Sequence, residues 1–411
     1  MRRISRRWFL AAAGTPAARA RAARGTRLDT PREEFRDGLT EREVFRLTDL
    51  AVVHHLPGHN HRFVARDNSF LLLAAEHGGA LHFHRLDLKR NRLVQLTDGE
   101  TVHPYAACLR SNDRGFFCLQ GRELVQADLG GGNRRTHYRC PEGWTLTGEM
   151  DISRAERYAA LVEMHEEDWR ADPAAQFAAE PRCRVRIVEM QRQSSKSRNW
   201  VSAEERRWIA APRFRPWRSQ VLYARKGPWQ QVRRRFQLVG LDGSGRTSVR
   251  PTRGRERLGR AYWVDDGSRL RYVRFADGAG WKASIRSIVP ETREETTEAS
   301  CSAFAWFREN ADGSAIAGAS RRPSGPNLYV LFPRMHREIT LCEHLSSLRP
   351  YPVAGTDRVD PLAAVPDPAF SQDSSWLYFV TDREGMPAIY GMPVDDLVES
   401  TSRRRSRTLS G

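Results

Sequence analysis

The sequence predicts an all-β protein, a seven-bladed β-propeller whose blades are four-stranded antiparallel sheets. A unit of polar turn, short apolar run, second turn and second apolar run recurs along the chain. Successive units are about 40 to 65 residues apart, a period typical of propellers. The apolar runs are rich in β-branched and aromatic residues, and the turns are rich in Asp, Asn, Gly and Ser, as antiparallel strands and their connections prefer.

Seven turns carry the repeat, and each directly precedes an apolar run. They lie near residues 67, 113, 154, 217, 266, 312 and 373. Two of the intervals between them are long, and they hold His165 to Pro181 and Tyr351 to Pro368. We expect insertions there, a loop or short helix in the first case, near the central channel where loops often carry function. The alternative is plain variation in length.

The predicted propeller spans residues 35–395. We expect a strand from residues 45–56 to close the ring by pairing with the C-terminal blade, because closure removes exposed sheet edges. Residues 398–411 are predicted to be a disordered basic tail. The chain has no run of eighteen or more apolar residues, so no membrane span is predicted.

The first 27 residues form a predicted twin-arginine signal peptide. Residues 5–10 read S-R-R-W-F-L, an apolar stretch continues to Ala18, and small residues around Ala20 offer a cleavage site. Such signals export folded proteins, so we expect the protein to act in the periplasm or outside the cell. The alternative is a merely basic, disordered N-terminus.

The net charge of +17 does not indicate a nucleic-acid-binding protein. Eight arginines lie within the first 27 residues and four lie after residue 402, which leaves a charge of +5 for residues 28–402. A nearly balanced body lacks the basic stripe of nucleic-acid binders, and we predict no such partner.

Cysteine and histidine patterns give no clear metal site. The six cysteines lack C-x-x-C spacing, which argues against structural zinc, and we expect most of them to be buried free thiols. The alternative for Cys108 and Cys118 is that they face each other across a hairpin and form a disulfide. Eight of the twelve histidines lie between His54 and His103. A metal site is one interpretation, but their spacing is not diagnostic, and packed or solvated histidines are the one we favour. No G-x-S-x-G nucleophile elbow occurs, which disfavours a serine hydrolase.

Over roughly residues 35–395 the sequence resembles the oligogalacturonate lyase family. The resemblance is carried by VFRLTD at 44–49, HLPGHNH at 55–61, LVQLTDG at 93–99, EPRCR at 180–184, REITLCEH at 337–344 and YFVTDREGMPAIY at 378–390. It implies a propeller that cleaves short oligogalacturonides by β-elimination during pectin breakdown. In the family a divalent metal, usually manganese, neutralises the uronate carboxylate, and a His removes the adjacent proton.

The chain carries other residues where the family has this machinery. The family's H-E-G-P segment aligns with residues 225–228 and places Arg225 at the position of the base, and Arg stays protonated at neutral pH. The metal-ligand positions align with Arg260, Leu362, Val365 and Asp367. Only Asp367 offers a metal ligand, and alone it makes a weak site. Manganese is therefore expected only for an intact site, and we predict no cofactor.

Two functions stay open. The first is an exported lyase-like protein that is weak or inactive as a lyase. The second is non-catalytic binding of anionic sugars or a protein partner at a channel mouth lined by Arg184, Arg225 and Arg260, because Arg pairs well with carboxylates. Arg184 lies in the P-x-C-R segment, where the resemblance implies a place near the substrate carboxylate; an ion pair with a structural role is the alternative. We expect a monomer.

Overall fold

Seven antiparallel sheets follow one another along the chain and form a ring of blades, so the predicted seven-bladed propeller is confirmed. The computed structural model describes residues 23–58, 61–130, 132–190, 198–228, 231–276, 282–322, 324–353 and 359–399. The first strands of blades 2 and 3, 3 and 4, 5 and 6, and 6 and 7 contact each other. No helix among the described residues is long and apolar enough to cross a membrane.

Blades 1 to 4 each begin with an inner strand and add strands outward. Blade 1 consists of His54–His55, Phe70–His77, Ala80–Asp87 and Arg92–Gln95, with Arg27–Asp29 as a fifth, outermost strand. Blade 2 consists of Val102–Leu109, Gly115–Gln120, Glu123–Asp128 and Arg134–Arg139. Blade 3 consists of Trp144–Ile152, Tyr158–His165, Arg182–Glu189 and Arg198–Arg206. Blade 4 consists of Ile209–Phe214, Gln220–Arg225, Phe236–Gly240 and Thr247–Arg250.

Blades 5 to 7 follow the same plan. Blade 5 consists of Arg257–Trp263, Leu270–Phe275, Lys282–Ile288 and Glu295–Ser302. Blade 6 consists of Phe304–Glu309, Ile316–Ser320, Asn327–Phe332 and Arg337–Glu343. Blade 7 consists of Ala369–Phe370, Trp376–Thr381, Ala388–Pro393, Glu43–Arg46 and Glu33–Arg36.

An N-terminal strand closes the ring, but its bounds differ from those expected. Phe45 of Glu43–Arg46 pairs with Gly391 in blade 7. The second half of the expected segment, His54–His55, is instead the inner strand of blade 1. A turn in which Asp49 accepts a hydrogen bond from the Ala51 amide separates the two. The strands of the ring also begin at Arg27, before the expected start at residue 35.

The seven predicted turns share one backbone feature, which explains their composition. Each connects the inner strand of a blade to its second strand and contains one residue with φ between +55° and +68°. These residues are Asn68, Asp113, Glu156, Trp217, Gly267, Gly313 and Ser374. Asn, Asp and Gly tolerate this left-handed conformation best, so the turns recur as polar signals in the sequence.

Apolar side chains between neighbouring blades form the core. Leu222 and Val249 of blade 4, for example, pack with Leu258 and Tyr272 of blade 5. All four are buried, and burial of such apolar area is the dominant stabilising term of folding.

Both long intervals hold insertions. The first contains a 3₁₀ turn, Glu166–Asp168, and a short helix, Pro173–Ala178. The second contains a small hairpin of Tyr351–Pro352 and Val359–Asp360, and a further 3₁₀ turn, Pro333–Met335, lies before it in blade 6. The stretch from Asp360 to Asp367 contacts residues of the inner strands, as described below.

Candidate functional site: the central channel

Charged and polar side chains from the inner strands, and from the loops that lead into them, converge at the centre of the ring. Blades 4, 5 and 6 contribute Arg213, Arg260 and Arg308 from consecutive inner strands. Blade 3 contributes Glu149 and Asp151. Tyr105 comes from blade 2, and His61 lies between the first two strands of blade 1. The segment that leads into blade 7 brings Asp360 and Asp367.

Arg260 and Asp367 form an ion pair. Arg260 Nη1 donates to Asp367 Oδ1 at 2.5 Å, and the two side chains are 16% and 22% exposed. Both residues stand at predicted degenerate metal-ligand positions. The structure therefore brings these two positions together, and the guanidinium group of Arg260 is bonded to the Asp367 carboxylate.

The other two predicted metal-ligand positions belong to the segment that leads to Asp367. Leu362 is 47% exposed, and its amide donates to Asp360 Oδ1. Val365 is buried, and its amide donates to the carbonyl of Leu362. Neither side chain has an atom that binds a metal. No group of three or more His, Cys, Asp or Glu side chains among the described residues is arranged to hold a metal ion.

Asp360, at the start of this segment, belongs to a hydrogen-bonded trio with Tyr105 and His55. The Tyr105 hydroxyl donates to Asp360 Oδ2 at 2.6 Å and lies 3.2 Å from His55 Nδ1. Burial, followed by the charge of Asp360, raises the pKa of Tyr105 well above its usual value. Tyr105 is therefore a protonated donor at neutral pH, and Asp360 is an acceptor.

His61 connects Tyr105 to the arginines. Its Nδ1 lies 3.1 Å from the Tyr105 carbonyl oxygen, and its Nε2 lies 2.9 Å from the Met150 carbonyl oxygen. Arg213 Nη1 donates to that same Met150 oxygen. Burial, with the charge of Arg213 adding to it, lowers the pKa of His61 to about 4, so the imidazole is neutral at pH 7. A neutral imidazole has one N–H, so it donates to only one of these two carbonyl oxygens.

Arg225, at the predicted position of the base, forms an ion pair between blades 3 and 4. Its Nε and Nη2 donate to the two oxygens of Glu205 at 2.7 and 2.8 Å. The Tyr223 hydroxyl donates to Glu205 as well. These hydrogen bonds raise the pKa of Arg225, so it cannot remove a proton from a substrate. The next residue, Lys226, contacts Glu149 on the inner strand of blade 3 at 3.0 Å.

Arg184 lies within blade 3. Its Nε donates at 2.5 Å to Glu163, whose side chain is fully buried, and its guanidinium lies 3.6 Å from the centre of the Trp144 ring. Arg186 and the hydroxyl of Tyr138 donate to the same carboxylate. These contacts correspond to the alternative that the sequence analysis gave for Arg184, an ion pair with a structural role.

The three arginines predicted to share a channel mouth therefore face three different carboxylates, and only Arg260 is part of the channel cluster. Sequence reasoning missed Arg213, Arg308 and Tyr105, and it considered His61 only as one of the clustered histidines. One pattern in the sequence could have indicated part of the channel cluster. The residue seven positions before the positive-φ residue of each turn is His61, Ala106, Glu149, Ala210, Arg260, Trp306 or Asp367. Four of these seven equivalent positions carry a charged or imidazole side chain, which indicates a shared polar site.

The histidines and cysteines are mostly packed into the blades. Five of the eight clustered histidines are buried: His54, His55, His61, His82 and His84. His59 lies outside the described residues. The six cysteines are free; five of them are buried, and burial raises the pKa of the Cys118 thiol to about 12. Cys118 lies opposite Ala107, and Cys108 opposite Phe117, so the two thiols point to opposite faces of their blade.

Comparisons with known proteins agree with this architecture. The family model described as oligogalacturonate lyase matches residues 22–398. The chain is 26% identical to the oligogalacturonide lyase of Pectobacterium atrosepticum and 24% identical to the oligogalacturonate lyase of Dickeya dadantii; each match covers 92% of this chain and 99% of the relative. The solved structure of an oligogalacturonate lyase in complex with manganese is 26% identical, with a TM-score of 0.83, and the match covers 91% of this chain and 98% of that one.

Proposed function

The chain belongs to the oligogalacturonate lyase family, and from this premise we propose that it binds short oligogalacturonides in its central channel and has little or no manganese-dependent lyase activity. The observation that carries the proposal is the ion pair between Arg260 and Asp367. Family membership supports the ligand class, and the ion pair supports the loss of the metal.

Manganese does not fit the residues present. β-Elimination needs a base that removes the proton beside the uronate carboxylate and a positive charge that stabilises the resulting carbanion. Of the four aligned metal-ligand positions, only Asp367 has a metal-binding oxygen, and the guanidinium of Arg260 contacts it directly. A cation placed there would face a fixed positive charge at short range, which costs energy in a partly buried site.

Slow elimination without a metal is a second candidate function, and the position of Tyr105 favours it. In this step the Asp360 carboxylate would accept the proton beside the uronate carboxylate, and the hydroxyl of Tyr105, which is bonded to Asp360, would protonate the departing glycosidic oxygen. Arg260 would supply the positive charge near the uronate carboxylate. Such activity would be insensitive to a chelator, which distinguishes it from family-type catalysis.

The N-terminal pattern supports export as part of this proposal. Residues 1–22, which carry the twin arginines, lie outside the described residues. Strand pairing of the ring begins at Arg27, where Arg27 pairs with Val94. Cleavage after Ala20 would therefore leave every described strand in place, and we expect the exported protein to keep the whole ring.

The test mixes trigalacturonate with the purified protein and measures the heat of binding and the absorbance of unsaturated product. One series contains added Mn²⁺, and another contains excess EDTA. We expect calorimetry to detect binding and absorbance of unsaturated product not to increase with Mn²⁺. Product formed equally in both series would favour the second candidate. Manganese-dependent product would contradict the proposal, and so would the absence of any binding.

A further inference from the structure

Arg308 is a channel guanidinium group that forms no ion pair with any residue of the described part of the chain. It lies on the inner strand of blade 6, and its Nη2 donates to the Gly58 carbonyl oxygen at 3.2 Å. Its Nε is buried and has no hydrogen-bond partner. No carboxylate of the described residues lies within 4.0 Å of its nitrogens. The guanidinium also lies 5.5 Å from the centre of the Phe63 ring, a contact that gives the Nε no acceptor. A buried donor without an acceptor is costly, so an acceptor bound beside this Nε would stabilise it.

Two further guanidinium groups lie on the neighbouring inner strands. Arg213 is only 5% exposed, and Arg260 is held by Asp367. Burial lowers the pKa of Arg308 to about 10, and the positive charges of Arg260 and Arg213 act in the same direction, whereas Asp367 opposes them. The strands that carry Arg260 and Arg308 also contact each other, so these side chains lie in one part of the channel.

The remaining channel carboxylates are already engaged. Glu149 contacts Lys226, and Asp360 accepts the hydroxyl of Tyr105. Asp151 accepts a hydrogen bond from the amide of Phe214, and its negative charge raises the pKa of Arg213. Asp367 forms an ion pair with Arg260, and its negative charge also raises the pKa of Arg308.

We propose that Arg308 and Arg260 form a binding site for one carboxylate group of a uronate, with Asp367 acting as an internal competitor for Arg260. The inference rests on the proposed function for its ligand class. Arginine matches a carboxylate with paired, charge-assisted hydrogen bonds, and such an anion supplies the acceptor that the Arg308 Nε lacks. A site that attracts a cation in the manganese-bound relative would thus attract an anion in this chain.

The role proposed for Asp367 and a role as metal ligand predict opposite effects of the same substitution on carboxylate binding. Replacing Asp367 by Asn leaves Arg260 free for the ligand, so Asp367→Asn is expected to strengthen carboxylate binding about tenfold, the effect of one charge-assisted hydrogen bond. If Asp367 held a cation for the ligand, the same change would weaken binding.

The experiment titrates galacturonate, which carries a single carboxylate, into the purified protein by calorimetry. Its methyl ester is the uncharged comparison and is expected not to bind. Arg308→Gln is expected to weaken galacturonate binding about tenfold or more, and Asp367→Asn to strengthen it. Arg90→Gln, which removes the same charge from an exposed position in blade 1, is expected to leave it unchanged. Circular dichroism checks that each variant is folded.

The outcomes separate this inference from the proposed function. If wild-type protein binds trigalacturonate but neither Arg308→Gln nor Asp367→Asn alters galacturonate binding, the inference is overturned and the function stands. If galacturonate binds with the predicted responses but trigalacturonate does not bind, the site stands and the proposed function fails. Loss of binding with Asp367→Asn also overturns the inference, and this variant removes a charge without emptying a core position.

Discussion

At the scale of single residues, the same side chain type has two separate uses in this propeller. Arg184 and Arg225 satisfy the buried carboxylates of Glu163 and Glu205, and both pairs lie within or between blades. Arg260 and Arg308 lie on inner strands and meet at most one carboxylate. Residue type alone does not distinguish these uses, because the difference lies in which acceptor the fold brings to each guanidinium.

The pairs within the blades should matter for stability. Glu163 accepts from Arg184, Arg186 and Tyr138, so Glu163→Gln would leave two guanidinium groups buried without their counter-charge. We expect a loss of about 3–5 kcal/mol in the free energy of unfolding, measured by guanidinium chloride denaturation.

The matched control is Glu166→Gln. Glu166 pairs with Arg122, and both side chains are at least 40% exposed. Exposed pairs contribute about 1 kcal/mol or less. Equal effects of the two substitutions would show that burial of Glu163 is not what makes its ion pairs important.

At the scale of elements, the turn between the first two strands of each blade is the feature from which the sequence predicts the fold. One residue per turn adopts positive φ in all seven blades. Six of the seven residues are polar or glycine, Trp217 being the exception, so the repeat and the blade number follow largely from the composition of the turns. The bounds of the closing strand did not follow, because pairing between Glu43–Arg46 and Ala388–Pro393 joins the two ends of the chain and has no local signal.

Two of these turns provide a matched test of packing. Gly267 and Gly313 have the same φ of +68°, but a Cβ at Gly267 would lie 2.3 Å from the Pro216 carbonyl oxygen, whereas at Gly313 the nearest atom is Glu309 Oε2 at 3.5 Å. Both changes to Ala should cost about 1–2 kcal/mol for the backbone conformation. Gly267→Ala should cost about 1–3 kcal/mol more, because the blade 4 turn must shift.

Thermal denaturation of the two variants at one pH measures this difference. Equal melting temperatures would mean that the turns of blades 4 and 5 do not touch as the structure indicates.

At the scale of the whole molecule, the ring decides which residues share a site. The alignment with the family predicted Arg260 and Asp367, and their contact shows that the aligned positions do converge. It did not predict Arg308, Arg213 or Tyr105, since nothing in their local sequence sets them apart. They become neighbours only because inner strands from different blades meet around one axis and because the segment from Asp360 to Asp367 leads into it.

The most direct test of the account is a titration of Mn²⁺ into the purified protein, followed by electron paramagnetic resonance, which distinguishes free from bound Mn²⁺. The central claim is that guanidinium groups now occupy the place of a divalent cation. The account predicts that the signal of free Mn²⁺ rises in proportion to the amount added, with no stoichiometric binding. One Mn²⁺ bound per chain, lost in Asp367→Asn, would contradict it.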